Sequence, residues 1–280
     1  FVLLLTALIN GDIQGLLRGT SSLNSASAST TYLLLAGSSI GTFLLPAYFL
    51  QRINARYFQL FPTYRIGDVK LYVFAFLFLL VCNPLMSVVS AWNMGLSLPE
   101  SFAPIELWMR QQEDAMGRLT GDLVMVDSIP LLLANLVVIA VIPAIAEELF
   151  FRGALQHIFQ RIFKNEHLTV WVVGIIFSAI HVQFFGFFPR LLLGVFFGYL
   201  FVWSRNIWVP IFAHFVNNAS VTLLAFYYTR QGKTFQDLQT FDSYTLIVYL
   251  GSFIASVLFA WLFYNNTKNI RIDGKGLGEN

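Results

Sequence analysis

Apolar residues in this chain come in long unbroken runs separated by short polar connections, with neither strand-like alternation nor a narrow helical stripe. A hydrocarbon core of about 30 Å needs roughly 20 residues at about 1.5 Å each, and about eight runs approach that length. They cover 1–9, 31–50, 71–92, 129–150, 168–185, 188–203, 207–228 and 244–264. The first, FVLLLTALI, opens at Phe1 and is expected to lack its start. Lipid offers no partner for backbone N–H and C=O groups, and no run alternates as a barrel strand would, so the runs are expected to be helices. The pattern therefore predicts an all-α, polytopic membrane helical bundle of about eight transmembrane helices. Tight connections, QFFGFFPR and WSRNI, make the last four of these antiparallel neighbours.

Four stretches follow from this division: membrane helices with an amphipathic segment over 1–126, a helical core over 127–228, a loop and last transmembrane helix over 229–264, and a polar, Gly-rich tail over 265–280 expected to be mobile and cytoplasmic. Composition agrees with a membrane solvent. Hydrophobic residues make up 57% and charged residues 11%, against about 25% charged in a soluble domain. With 17 Lys+Arg against 15 Asp+Glu, no nucleic-acid footprint or acidic tail is indicated. One cysteine, Cys82, excludes an internal disulfide framework and a CxxC metal site within this sequence.

Where the charges fall predicts orientation, because Lys and Arg are retained on the cytoplasmic side. Arg52, Arg56, Arg65 and Lys70, then Arg161 and Lys164, then Arg205, then Lys268, Arg271 and Lys275 occupy alternate connections and are expected inside. The 93–128 connection carries Glu100, Glu106, Glu113, Asp114, Asp122 and Asp127 against Arg110 and Arg118, and is expected outside. Its 100–120 stretch mixes charged and apolar residues as an amphipathic helix on the outer face would, or as a solvated loop helix would.

In lipid the polar residues carry the information, since a charge at mid-membrane costs about 2.5 to 3.5 kcal/mol even on lenient scales. Three charges stand together in AIAEELFFRGALQ: Glu147, Glu148 and Arg152. Glu148 and Arg152 are one helical turn apart and can pair. Glu147 points elsewhere on the helix and has no such partner, so the two carboxylates are expected to meet different surroundings. Against this stands the plainer reading that both glutamates mark a helix end. In WVVGIIFSAIHVQFF, Phe177 and His181 are one turn apart, although a lone His in an apolar helix is usually packed and satisfied. In IWVPIFAHFVNNAS, His214 and Asn218 again stand one turn apart, beside Asn217. Facing one another, such clusters satisfy groups that would each be costly alone. His157 and His167 fall near a loop, read as solvated, and are given no role.

Peptide hydrolysis needs a base for water, a group to hold that water and donors for the oxyanion. Apolar surroundings make a carboxylate a stronger base than it is in water, and Glu147 is the candidate. His181 suits holding the water, directly or through a metal, while His214 and Asn218 suit the oxyanion. Glu147, His181 and His214 also resemble the His2Glu set of catalytic zinc, so a divalent metal and a metal-free glutamate mechanism both stay open. HExxH, GxGD, a GxSx serine motif paired with a His, Walker A and GxGxxG are all absent. Two other classes remain: a catalytically silent membrane scaffold or immunity protein, and a proton-coupled transporter.

The ordered set Glu147-Glu148-x-x-x-Arg152, Phe177-x-x-x-His181 and His214-x-x-x-Asn218 resembles the motifs of the CPBP family, also called Abi, of type II CAAX prenyl endopeptidases and bacteriocin-processing enzymes. The likeness covers roughly 127–228, making that stretch the catalytic core. It implies an intramembrane endopeptidase of an inner (plasma) membrane, acting on a membrane-associated protein or peptide, with its site opening to the cytoplasm. By motif position it implies that Glu147 and His181 activate water, that His214 and Asn218 stabilise the oxyanion, and that Glu148, Arg152 and Phe177 support them. The family is commonly named as metalloproteases, which keeps Glu147, His181 and His214 as candidate ligands.

Overall fold

The computed structural model describes residues 28–54, 59–64, 67–240 and 243–273. Among these lie nine helices and no strand beyond one isolated bridge between Thr63 and Asn206. In chain order they are α1 (Thr30–Ile53), α2 (Val69–Met94), α3 (Ala103–Val124), α4 (Ile129–Phe163), α5 (Glu166–Ala179), α6 (Phe187–Ser204), α7 (Trp208–Arg230), α8 (Phe235–Leu238) and α9 (Leu246–Asp273). Six of the rods are long and apolar enough to cross a membrane: α1, α2, α4, α6 with the short turn before it, α7, and α9 over Leu246–Lys268. Their outward faces are apolar, with Leu33, Ile247 and Ile254 at 65% exposure or more, which suits lipid and not water. The first expected run, 1–9, lies outside the described residues.

Local chemistry sets several ends. Asp68 caps α2 by accepting from the Lys70 N–H, and Asn165 caps α5 by accepting from the Leu168 N–H. Lys164 and Arg205 take left-handed backbone, with φ of 52°, where α4 and α6 stop. Both α1 and α4 contain π-helical turns, at Ile40–Leu44, Leu136–Val141 and Leu149–Leu155. Such turns release carbonyls from the regular ladder.

α5 departs from expectation. The apolar run continues to 185, yet the helix ends at Ala179, the chain turns through Val182 at a φ of 54°, and a short 3-10 turn over Phe184–Gly186 leads into α6. Fourteen residues reach only about 21 Å, short of the roughly 30 Å hydrocarbon core. The 180–186 turn therefore lies below the level that a full span would reach, and leaves a recess at that end. The sequence reading also stopped the last helix at 264, whereas α9 runs through Asp273.

The two ends of the bundle sort as the charge pattern predicts. At one end Tyr64 N–H donates to the Arg205 carbonyl at 3.1 Å, Ile207 N–H to that of Pro62 at 2.8 Å, and Arg205 pairs with Glu166 at 3.6 Å. At the other end α3 lies against the 180–186 turn. Asn93 there donates to the Phe184 carbonyl at 3.1 Å and accepts from Phe188 N–H at 2.9 Å.

α5 and α6 pack closely because glycines meet at the crossing. A Cβ at Gly198 would come to 2.9 Å from Val170 Cγ1, and one at Gly194 to 3.0 Å from Phe177 Cδ1. Small residues at this four-residue spacing let helix backbones approach in lipid. Gly198→Val is expected to lower stability by about 1 to 3 kcal/mol through overpacking. The readout is a lower midpoint in thermal unfolding of detergent-solubilised protein. Gly251→Ala, whose Cβ would meet nothing within 4 Å, is the control and is expected to leave the midpoint in place.

Candidate functional site

The recess opens into a cavity of about 350 Å³. Glu147, Phe177, His181, His214 and Asn218 all line it, with Asn217 beside them. Its lining also takes in Ser90 and Met94 of α2, Glu113 of α3, and Gly186 and Arg190. It thus runs from the middle of the bundle to the end that carries the 93–128 connection. The remaining motif residues, Glu148 and Arg152, sit behind this wall.

The two adjacent glutamates have different partners. Glu148 is fully buried; its Oε1 accepts from Arg152 Nη1 at 3.1 Å and from His214 Nδ1 at 2.8 Å. Arg152 Nε also approaches Glu148 Oε2 to 3.0 Å, as an ion pair without hydrogen-bond alignment. Arg152 Nη2 donates to the Gly194 carbonyl at 2.7 Å, and its guanidinium lies 4.9 Å from the Phe177 ring centre. The i,i+4 pairing read from the sequence is present, although the turn following Glu148 is π-helical. Glu147 faces the cavity, and among the described residues its buried Oε2 has no hydrogen-bond partner.

Both histidines have their Nδ1 atoms committed. His181 follows the end of α5 instead of standing on its face, and its Nδ1–H donates to the Phe177 carbonyl at 2.7 Å. That bond fixes the tautomer, leaving Nε2 with its lone pair in the neutral ring. His214 turns Nδ1 to Glu148 and stacks on Phe197 at 5.1 Å between ring centres. Asn218 spends one N–H on the Ile139 carbonyl at 3.1 Å, in the π-helical turn of α4, and accepts from Asn217 Nδ2 at 3.1 Å. Its second amide N–H is left for the cavity.

Among the described residues no three His, Cys, Asp or Glu side chains come together as a metal-holding group. Glu147, His181 and His214 share the cavity without forming a ligand cage, so the candidate metal set does not fit as arranged. His157, read as solvated, is instead buried, with its ring 5.8 Å from that of Phe201. It belongs to an apolar helix that continues past it to Phe163. His167 is exposed, and its Nδ1 meets the Tyr199 hydroxyl at 2.8 Å.

Two charges missed at the sequence level belong to this cavity. Glu113 accepts from Phe185 N–H at 3.2 Å, and burial holds its carboxyl above the ordinary value even though that bond and the charge of Arg190 act the other way. Arg190 stands in the first turn of α6. Glu113 was expected in the outer 93–128 connection, and Arg190 lies inside the 188–203 run, where it was given no role. Nearby, Glu106 accepts from Leu98 N–H at 2.7 Å and pairs with Arg110 at 2.6 Å, which holds its carboxyl below the usual range. Arg110 in turn lies 4.2 Å over the Phe185 ring, so α3 is fastened onto the turn by several contacts.

Residues 129–220 match the model of the family described as type II CAAX prenyl endopeptidase Rce1-like. A stretch of 89 residues, 30% of the chain, is 28% identical to the uncharacterized protein YpbD of Bacillus subtilis (strain 168) and covers 42% of that protein. No solved structure matches the chain.

Proposed function

We propose that this chain, whose residues 129–220 match the type II CAAX prenyl endopeptidase Rce1-like family model, is an intramembrane endopeptidase in which Glu147 activates the attacking water. The observation that carries this reading is the unpartnered, buried Glu147 Oε2 in a cavity shared with His181, His214 and Asn218. Glu147 takes the proton as water oxygen attacks the scissile carbonyl, and His181 Nε2 orients that water. The tetrahedral oxyanion is met by the Asn218 amide N–H and by the Nε2 edge of His214, whose ring is held through Nδ1 against Glu148 Oε1. The proton held by Glu147 goes to the leaving amine as the C–N bond breaks. No step runs through a metal, since the donors do not form a cage.

The substrate in this reading is a membrane-associated protein or peptide, of CAAX type or related to bacteriocins. An apolar cavity of about 320 Å³ between α2, α6 and α9 has Leu193 as a wall in common with the polar one and suits an apolar substrate segment. The test is cleavage of a membrane-anchored reporter peptide by purified protein in proteoliposomes. Cleavage by wild type and not by Glu147→Gln supports the reading; equal cleavage by both overturns it.

Charge favours a mouth facing away from the cytoplasm. The cavity reaches Met94 and Glu113, at the acidic end, while Lys164 and Arg205 gather at the other. The resemblance implies the reverse, a cytoplasmic mouth in a plasma (inner) membrane. Met94→Cys in a Cys82→Ala background, with Met94 43% exposed, is expected to react with a membrane-impermeant maleimide in intact cells. Labelling only after lysis puts the mouth on the cytoplasmic side.

A further inference from the structure

Among the residues lining the polar cavity, Arg190 is the only arginine or lysine. Its hydrogen bonds among the described residues go to Gln183 alone, from Nη2 to Oε1 at 2.8 Å and from Nη1 to the carbonyl at 3.4 Å. The acidic groups whose charges act on it are Glu113 and Glu147. Neither comes within ion-pair distance: Glu113 gives its oxygens to Phe185 N–H and Gln183 Nε2, and Glu147 Oε2 is unbonded. A half-buried guanidinium with no carboxylate at ion-pair distance has donors to spare for an arriving anion. Room has been left for the guanidinium, since a Cβ at Gly186 would come to 3.3 Å from Arg190 Nη2. A guanidinium offers five N–H donors in a planar fork matched to carboxylate, and Gln183 uses only part of that fork. The other charged side chains of the lining, Glu113 and Glu147, repel an anion, so among the lining residues the Arg190 fork is the place that attracts one.

The geometry points to Arg190 as the substrate-carboxylate site of this cavity, a specificity residue that selects peptides presenting a carboxylate near the scissile bond, on the α3 side. This rests on the endopeptidase reading above. The carboxylate belongs either to a chain end or to an Asp or Glu side chain, and both would use the same fork.

The experiment uses the full chain in proteoliposomes and one membrane-anchored fluorogenic peptide in three forms: C-terminal acid, C-terminal amide, and amide with an added Glu next to the cleavage site. Wild type is expected to favour a carboxylate-bearing form over the plain amide by about 10- to 100-fold in kcat/KM, the worth of a hydrogen bond to a charged group. Which form is favoured identifies the source. In Arg190→Gln the ratio is expected to collapse toward unity, chiefly through KM, and Arg190→Lys to keep an intermediate ratio as a point charge without the fork. No preference in wild type, or an equal loss on all three forms in Arg190→Gln, overturns the assignment, the latter because it marks Arg190 as a staple of the 183–187 turn. Should wild type cleave none, the endopeptidase reading fails by itself, and Arg190 is read from binding of dansyl-labelled acid and amide peptides to wild type and Arg190→Gln. Binding that favours the acid only when Arg190 is present supports the site; equal binding overturns it. Monodisperse elution and an unchanged thermal midpoint of Arg190→Gln establish that the variant is folded.

Discussion

Glu147→Gln is expected to lower kcat for the reporter peptide by about 10²- to 10⁴-fold, the range for removing a positioned general base. The substitution keeps the shape of the side chain and removes only the ability to take a proton. It is also expected to leave thermal stability equal or higher, because a buried carboxylate oxygen without a partner gains nothing from its charge when it stays ionised. That pairing of effects separates catalysis from packing. Full phenotype with Glu147→Gln would indicate the silent scaffold, and proton flux in liposomes that depends on Glu147 without cleavage would indicate the transporter.

Glu148→Ala is expected to do the opposite, lowering stability by about 3 to 5 kcal/mol, since removing one partner of a buried pair strands the other. Arg152 is fully buried, and Glu148 supplies its ion-pair partner. Activity should fall too, because His214 loses the acceptor for Nδ1 at 2.8 Å. The double variant Glu148→Met with Arg152→Leu discriminates between these losses. Buried ion pairs are often replaceable by apolar residues of similar volume, so much of the stability is expected to return while activity does not. Thermal unfolding and the reporter assay on the same preparations check both; recovery of activity along with stability would mean that Glu148 does not position His214.

The motif residues could be read from the chain because polar groups are scarce in apolar helices and each requires a reason. Glu147, Glu148, Arg152, His181, His214 and Asn218 stood out for that reason, and helical spacing correctly paired Glu148 with Arg152. The same scarcity misled where charges sat at the edge of a run. Glu113 was read as a connection charge and Arg190 was passed over at the start of the 188–203 run, because hydropathy continues smoothly to 185 and does not register the left-handed turn at Val182. His157 erred the other way: proximity to a loop suggested water, while its helix stays buried against Phe201. The three-residue metal set was legible as chemistry, and its members do line one cavity, yet among the described residues they form no metal-holding group.

By itself the sequence determined that the chain is a membrane-spanning helical bundle, because long apolar runs leave helices as the way to satisfy the backbone in lipid. It also determined which charged ends lie together, since the basic and acidic connections alternate. Only the tertiary structure decided what those groups meet. Glu148 bridging Arg152 and His214, Asn218 reaching the carbonyl freed in the π-helical turn of α4, and the cavity left where α5 stops short all depend on contacts between helices remote in sequence. Periodicity fixes the face on which a residue stands along its own helix; which neighbour that face meets is set by packing, here by the close α5–α6 approach at Gly194 and Gly198 and by the early turn that brings Arg190 to the cavity.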